Sequence, residues 1–231
     1  AEGLGSEYDG KKCGSFGKFG VMSFNGNKMI TTSGGGALAC PDMASKQKVM
    51  FYSTQARESY PYYQHTEIGY NYRMSNISAG IGRGQMTILD EHVAHHRKVQ
   101  SLYEQLLNDV DGIEVHSQPE GGLFNSNYWL CTITLDEKLV IKGQQDVKVG
   151  LTDCEPNANV EALRVWLDNH DIESRSAWKP MHKQPINQSY PSYVNGISED
   201  LFKRGMCLPA GPYVTDDDVK YIVEKIREAI G

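Results

Sequence analysis

From Ala1 to about residue 40, glycine clusters alternate with short apolar runs, a pattern that suits strands and turns around a site rather than long helices. Gly20-Val21-Met22-Ser23-Phe24 reads as a buried strand end, and Asn25-Gly26 as the turn that follows it. Lys28 comes next, and Gly34-Gly35-Gly36 closes the stretch, where missing side chains let backbone approach a ligand closely. A lysine on such a turn can reach inward. Desolvation disfavours the charged form of an amine and frees it to attack a carbonyl. Spacing alone leaves a second reading open, a solvated surface lysine beside a glycine turn.

The remainder of the chain has a different grain. Pro41-Asp42-Met43 opens a helix expected to run to about Arg57, and the tyrosine-rich segment from Ser59 to Tyr72 reads as a loop. From Ser75 to about Val110, Ile77, Ile81, Ile88, Leu89, Val93, Leu102, Leu106 and Leu107 recur at three- and four-residue steps, which predicts one long helix ending at Gly112. Beyond it come a strand (Tyr128 to Leu135), a helix (Val160 to His170), a strand (Ile172 to Arg175), a short helix (Glu199 to Lys203), a strand (Met206 to Leu208) and a last helix (Asp216 to Ile230). Thr215 and the aspartates after it are a strong start signal for that last helix. The alternation makes 111–231 a small α/β domain, with 1–110 a separate region that includes the connecting helix.

Composition narrows the function classes. A chain of 231 residues, 39% hydrophobic and 10% aromatic, can bury a core, in one large or two small domains. A net charge of −6, without clustered Lys and Arg, argues against a nucleic-acid partner. Five widely spaced cysteines without a Cys-x-x-Cys pair read as reduced thiols. With no apolar run long enough to span a bilayer and no signal-peptide pattern, no membrane partner is expected and the compartment is read as cytoplasmic. No metal site is expected: His92, His95 and His96 lack a zincin glutamate and read as a solvated helix face. The triple glycine lacks a P-loop ending, and no Gly-x-Ser-x-Gly elbow supports a hydrolase.

The string Ser23-Phe24-Asn25-Gly26-Asn27-Lys28-Met29-Ile30-Thr31-Thr32-Ser33-Gly34-Gly35-Gly36 resembles the cofactor-lysine motif of the DegT/DnrJ/StrS nucleotide-sugar aminotransferases. A second block, Gly69-Tyr70-Asn71-Tyr72-Arg73-Met74, is similar to a segment the family places at a like distance after that lysine. Phe51 to Glu58, Trp178 to His182 and Cys207 to Gly211 resemble the bacillosamine-pathway branch, and the likeness covers essentially the whole chain. The resemblance implies an α/β PLP-dependent transferase fold of type I, aspartate aminotransferase-like. The N-terminal half of the large domain is expected to lie outside this sequence, because Ala1-Glu2-Gly3-Leu4-Gly5 resembles the tail of the family's Glu-Asp-Ala-Ala-Glu-Ala-Leu-Gly segment. The family aspartate under the pyridine nitrogen is then expected two positions before Ala1.

The resemblance further implies that Lys28 bonds pyridoxal 5′-phosphate and shuttles a proton, that Ser23 bonds its phosphate, and that Glu2 sits near its 3′-oxygen. Asn71 is implied to reach the phosphate of a neighbouring subunit, so a homodimer is expected. Arg73, Trp178 and His182 are candidate substrate contacts, each with an equal alternative as a structural residue, and Arg175 lies on the same loop as the last two. The implied reaction is amination of a nucleotide-linked keto-deoxysugar of the UDP-4-keto-6-deoxy-GlcNAc type, with L-glutamate as donor. Family dehydratases carry histidine in place of the motif lysine, so Lys28 favours transamination. The alternative is a catalytically silent structural or dimerisation fragment, and the upstream half as a separate polypeptide is a further implied partner.

Overall fold

The computed structural model describes residues 1–230. In chain order its elements are strands β1 (Glu7–Tyr8), β2 (Lys11–Lys12), β3 (Gly20–Ser23) and β4 (Gly36–Ala39), then helices α1 (Met43–Ser53), α2 (Asn76–Met86) and α3 (Leu89–Leu107). They continue with β5 (Ile113–Val115), β6 (Phe124–Asn125), β7 (Cys131–Leu135), α4 (Ala158–Asp168), β8 (Arg175–Ser176), α5 (Ile197–Arg204), β9 (Gly205–Leu208) and α6 (Asp216–Ala229). They fall into two compact units, Ala1–Ala94 with Gln118–Trp129, and His95–Ser117 with the chain from Leu130 onward. The division falls inside α3 rather than at residue 110, and the segment around β6 returns to the first unit.

The first unit is built on two small antiparallel sheets, β2-β1-β6 and β3-β4. Strands β3 and β4 pair from Gly20 opposite Ala39 to Ser23 opposite Gly36. A Cβ on Gly36 would stand 2.3 Å from the Met22 carbonyl oxygen and one on Gly35 2.9 Å from Met74 Cε. Those two glycines are therefore required for close packing within the chain. Asp42 caps α1 by accepting from the Ser45 N–H at 2.7 Å, so Pro41 lies ahead of the cap instead of inside the first turn. The helix stops at Ser53, short of Arg57, because Gln55 and Ala56 turn left-handed at φ 69° and 47°.

The expected long helix is two. Thr87 and Ile88 bond back three residues, to Gly84 and Gln85, and the Thr87 hydroxyl also donates to the Gly84 carbonyl at 2.7 Å. A side chain competing for a helical carbonyl, beside Gly80, Gly82 and Gly84, outweighs the apolar periodicity that runs through the break.

The second unit carries the large core. Its sheet has the order β5-β7-β9-β8 with every pair antiparallel, so the alternating elements do not form the parallel units that alternation suggests. Ile133, Leu135, Met206 and Leu208 from the sheet join Val160, Leu163 and Leu167 of α4, and Val219, Ile222 and Ile226 of α6. The α3 residues Val99, Tyr103 and Leu107 complete it, and the Tyr103 hydroxyl donates to the Pro209 carbonyl at 3.0 Å. Burial of a whole Leu or Ile side chain is worth roughly 1.5–3 kcal/mol, so this cluster dominates the stability of the unit. A capping box starts α6: Thr215 accepts from the Asp218 N–H, and Asp218 accepts from that of Thr215.

Strand β7 begins at Cys131, not Tyr128, whose φ of 45° breaks the strand, and β8 begins at Arg175, after Asp171 has turned left-handed at φ 58°. All five cysteines are free; Cys131, Cys154 and Cys207 are buried and Cys13 is exposed. Burial pushes the Cys207 thiol up to about 11. Among the described residues no helix is long and apolar enough to cross a membrane.

Candidate active site around Lys28

The loop between β3 and β4 is tied at its base. Phe24 donates to the Gly35 carbonyl at 3.0 Å and accepts from the Thr32 N–H at 2.9 Å. Inside it, the Lys28 N–H closes a turn onto the Asn25 carbonyl, and Met29 and Ile30 are buried at 3% and 1% exposure. Two adjacent buried apolar side chains set the direction of the residue before them. A third tie comes from α3, where His92 Nδ1 donates to the Met29 carbonyl at 3.0 Å.

The Lys28 side chain is 13% exposed, and its ammonium donates to the Glu2 carboxylate. That hydrogen bond, and the attraction of the same ammonium, hold the Glu2 carboxyl below the ordinary carboxylate range against the opposing effect of burial. The Trp129 ring lies under the ammonium, 4.4 Å from Nζ to the ring centroid, and its indole N–H donates to the Asn27 carbonyl at 2.6 Å. Asn127, 4% exposed, donates through Nδ2 to the carbonyls of Glu2 and Leu4 at 2.7 and 2.9 Å. An amine, a carboxylate facing it and an aromatic wall suit carbonyl chemistry with proton transfer at nitrogen.

The structure thus brings Lys28 and Glu2 together, with half-buried Ser23 at the end of β3 at the head of the same loop. Asn71 is exposed, its backbone bridged to Thr54, and Arg73 is exposed. Arg73 lines a groove of about 940 Å³ with Val21, Leu38, Met43, Met50 and Tyr72; Lys28 and Glu2 do not line it. Trp178 and His182 belong to the second unit: Trp178 is 64% exposed, and His182 Nε2 lies 2.7 Å from a Glu199 carboxylate oxygen. That bond holds the Glu199 carboxyl below its usual range. Arg175 is engaged with Glu173.

The histidines of α3 are not a solvated face. His92 bonds the lysine loop, His95 lies 3.2 Å from the Gly211 carbonyl oxygen, and His96 is 3% exposed. Among the described residues no group of three His, Cys, Asp or Glu side chains is arranged to hold a metal ion. Sequence reasoning passed over Asn127 and Trp129. The one signal was an amide just before, and a large aromatic just after, Tyr128, where a strand was expected to begin.

A partly buried lysine on a glycine-flanked loop, faced by a carboxylate, has the chemistry to bind a carbonyl group. The chain belongs to the DegT/DnrJ/EryC1/StrS aminotransferase family, whose model matches residues 1–227. It is 42% identical, over 97% of its length, to the Bacillus subtilis (strain 168) protein EpsN, described as a pyridoxal phosphate-dependent aminotransferase, and covers 53% of that protein. It is 32% identical, over 99% of its length, to the GDP-perosamine synthase of Escherichia coli O157:H7, covering 56% of it. Among solved structures it is similar to Helicobacter pylori PseC, an aminotransferase of pseudoaminic acid biosynthesis, with a TM-score of 0.82 and 20% identity. That match covers 99% of this chain and 57% of the other. The fold is that of the PLP-dependent type I sugar aminotransferases, and the chain spans about half the length of the relatives it matches.

Proposed function

We propose that the protein carrying this chain is a pyridoxal-phosphate aminotransferase that aminates a keto carbon of a nucleotide-linked deoxysugar. The single observation behind this reading is the Lys28 amine, mostly shielded and held against Glu2 on the loop that follows β3. The residues present suit the cofactor: an amine for its aldehyde, a strand-end hydroxyl in Ser23 for its phosphate, and a carboxylate in Glu2 for its ring oxygen. When bound, pyridoxal phosphate supplies an electron sink that stabilises negative charge on the substrate carbon. Lys28 Nζ would take the proton from the α-carbon of the amino donor and, in the second half of the transfer, deliver one to the former keto carbon of the sugar, with Glu2 orienting the amine. Asn71 reaches a second copy's phosphate, which makes a homodimer the functional unit, and Arg73, Trp178 and His182 contact substrate. On the resemblance of residues 51–58, 178–182 and 207–211 to the bacillosamine-pathway branch, we read the substrate as a UDP-linked 4-keto-6-deoxy sugar, the amino donor as L-glutamate and the compartment as the cytoplasm.

Borohydride reduction in the presence of pyridoxal phosphate, followed by peptide mapping, is expected to label Lys28. A label on another lysine would sink the assignment. The second reading, a structural or dimerisation fragment, is favoured by α1, which has no buried residue, and by the apolar groove beside it. Loss of glutamate-dependent amination in Lys28→Ala, set against a competent parent, separates the two.

A further inference from the structure

We propose that Trp129, set in place by Asn127, is a positioning residue for Lys28, holding the lysine by its backbone and its charge at once. The proposal rests on the reading of Lys28 as the cofactor-bonding amine. Its basis is a convergence of bonds from the strand-connecting segment that ends the first unit. The indole N–H holds the carbonyl of Asn27, the residue before the lysine, at 2.6 Å, while the ring lies 4.4 Å from Nζ. One rigid side chain therefore fixes the point from which the lysine departs and the place where it ends.

The backbone of this segment is shaped for that task. Tyr128 is left-handed at φ 45°, a conformation that costs a residue with a Cβ about 1 kcal/mol or more, so the surroundings must enforce it. Ser126 Oγ accepts the Tyr128 N–H at 3.0 Å, the Tyr128 hydroxyl accepts the Gln118 N–H at 2.9 Å, and Asn127 Oδ1 accepts the Trp129 N–H at 3.0 Å. The kink lets Asn127 reach the Glu2 and Leu4 carbonyls while Trp129 reaches the lysine loop. A second tie between Asn127 and the N-terminal segment runs from its backbone N–H to Ser6 Oγ at 2.9 Å. Glu2 and Lys28 belong to separate stretches of chain, and Asn127 and Trp129, two residues apart, each hold one of them. The ring's negative face also attracts a cation at Nζ without accepting its proton, so it orients the amine and leaves proton transfer to other groups.

The test uses the intact protein. Reductive ¹³C-methylation should give one dimethyl-lysine resonance shifted upfield by the indole ring current, assigned to Lys28 by its loss in Lys28→Arg. That shift is expected to vanish in Trp129→Leu and to persist in Trp129→Phe, which keeps a ring and loses the N–H. In a second measurement, the dissociation constant for pyridoxal phosphate, read from the visible absorption of unmethylated protein, should rise about tenfold in Trp129→Leu, which loses both holds, and about threefold in Trp129→Phe, which keeps the ring and loses the bond to Asn27. A purely structural role would leave the two variants alike. No upfield resonance in the parent, or unchanged affinity in Trp129→Leu, overturns the proposal. A Lys28→Ala protein that binds pyridoxal phosphate as the parent does overturns the reading of Lys28 instead, and the resonance shift still reports on the tryptophan.

Discussion

Strands β7 and β9 of the second unit bury nearly every residue, whereas β4 of the first unit is exposed throughout and α1 buries none. The same contrast separates the helices: α4 and α6 each set a row of apolar side chains into the core, while the first unit has only short patches such as Met29, Ile30 and Val93. The first unit nevertheless holds the candidate chemistry. It places Lys28 by hydrogen bonds to loop backbone and by a few buried anchors, and it contains left-handed residues at Ser33, Gln55, Ala56 and Tyr128. One part of the chain supplies packing energy, and the other supplies aimed polar groups on loops. Substitutions in the two should therefore separate stability from chemistry.

The largest effect that would break this contrast is in the loop unit. Lys28→Ala is expected to lower glutamate-dependent amination by at least about 10³-fold with unfolding changed by under about 1 kcal/mol. Kinetics and denaturant titration on one preparation check both halves, and a fall in stability matching the loss of rate would erase the contrast. The converse is Leu163→Ala in the α4 core, where truncation of a fully buried leucine costs roughly 2–5 kcal/mol. Borohydride labelling of Lys28 should persist in that variant below its unfolding transition.

A smaller effect sharpens the account of the second unit: Thr215→Ala removes the hydroxyl half of the α6 capping box and should cost about 1 kcal/mol by thermal unfolding. Leu38→Ser, on exposed β4, should change stability by no more than about 0.5 kcal/mol, and a core-sized loss would show that β4 is covered in solution. The smallest effect is a pH dependence. The Glu2 carboxyl is depressed when folded, so the stability it contributes is present above its unfolded value and is lost as pH falls through the folded one. Glu2→Gln should flatten stability against pH in that acidic window and leave neutral pH little changed, a comparison made by urea titration across the window.

Legibility divided differently from stability, by separation along the chain and not by unit. The lysine loop, the turn at Asn25-Gly26, the start of α6 and the strand at β9 were readable because each depends on residues adjacent in the chain: glycines at tight approaches, a hydroxyl at a helix start, a short apolar run. The break between α2 and α3 was not. Apolar periodicity continues across Thr87, and only the competition of its hydroxyl for the Gly84 carbonyl ends the helix. Strand direction was also hidden, since β7, β9 and β8 pair by long crossovers that no local pattern encodes.

By itself, the order of residues determined which lysine sits on a glycine-flanked loop, where the last helix begins and which stretches alternate between strand and helix. The fold alone decided what stands against that lysine. Trp129 is 102 residues from Asn27 and Asn127 is 125 from Glu2, and contacts at such separations arise only when two distant stretches are ordered together. The entropy of closing those loops is met by packing and buried hydrogen bonds distributed over the whole unit, so no single stretch of sequence carries the signal.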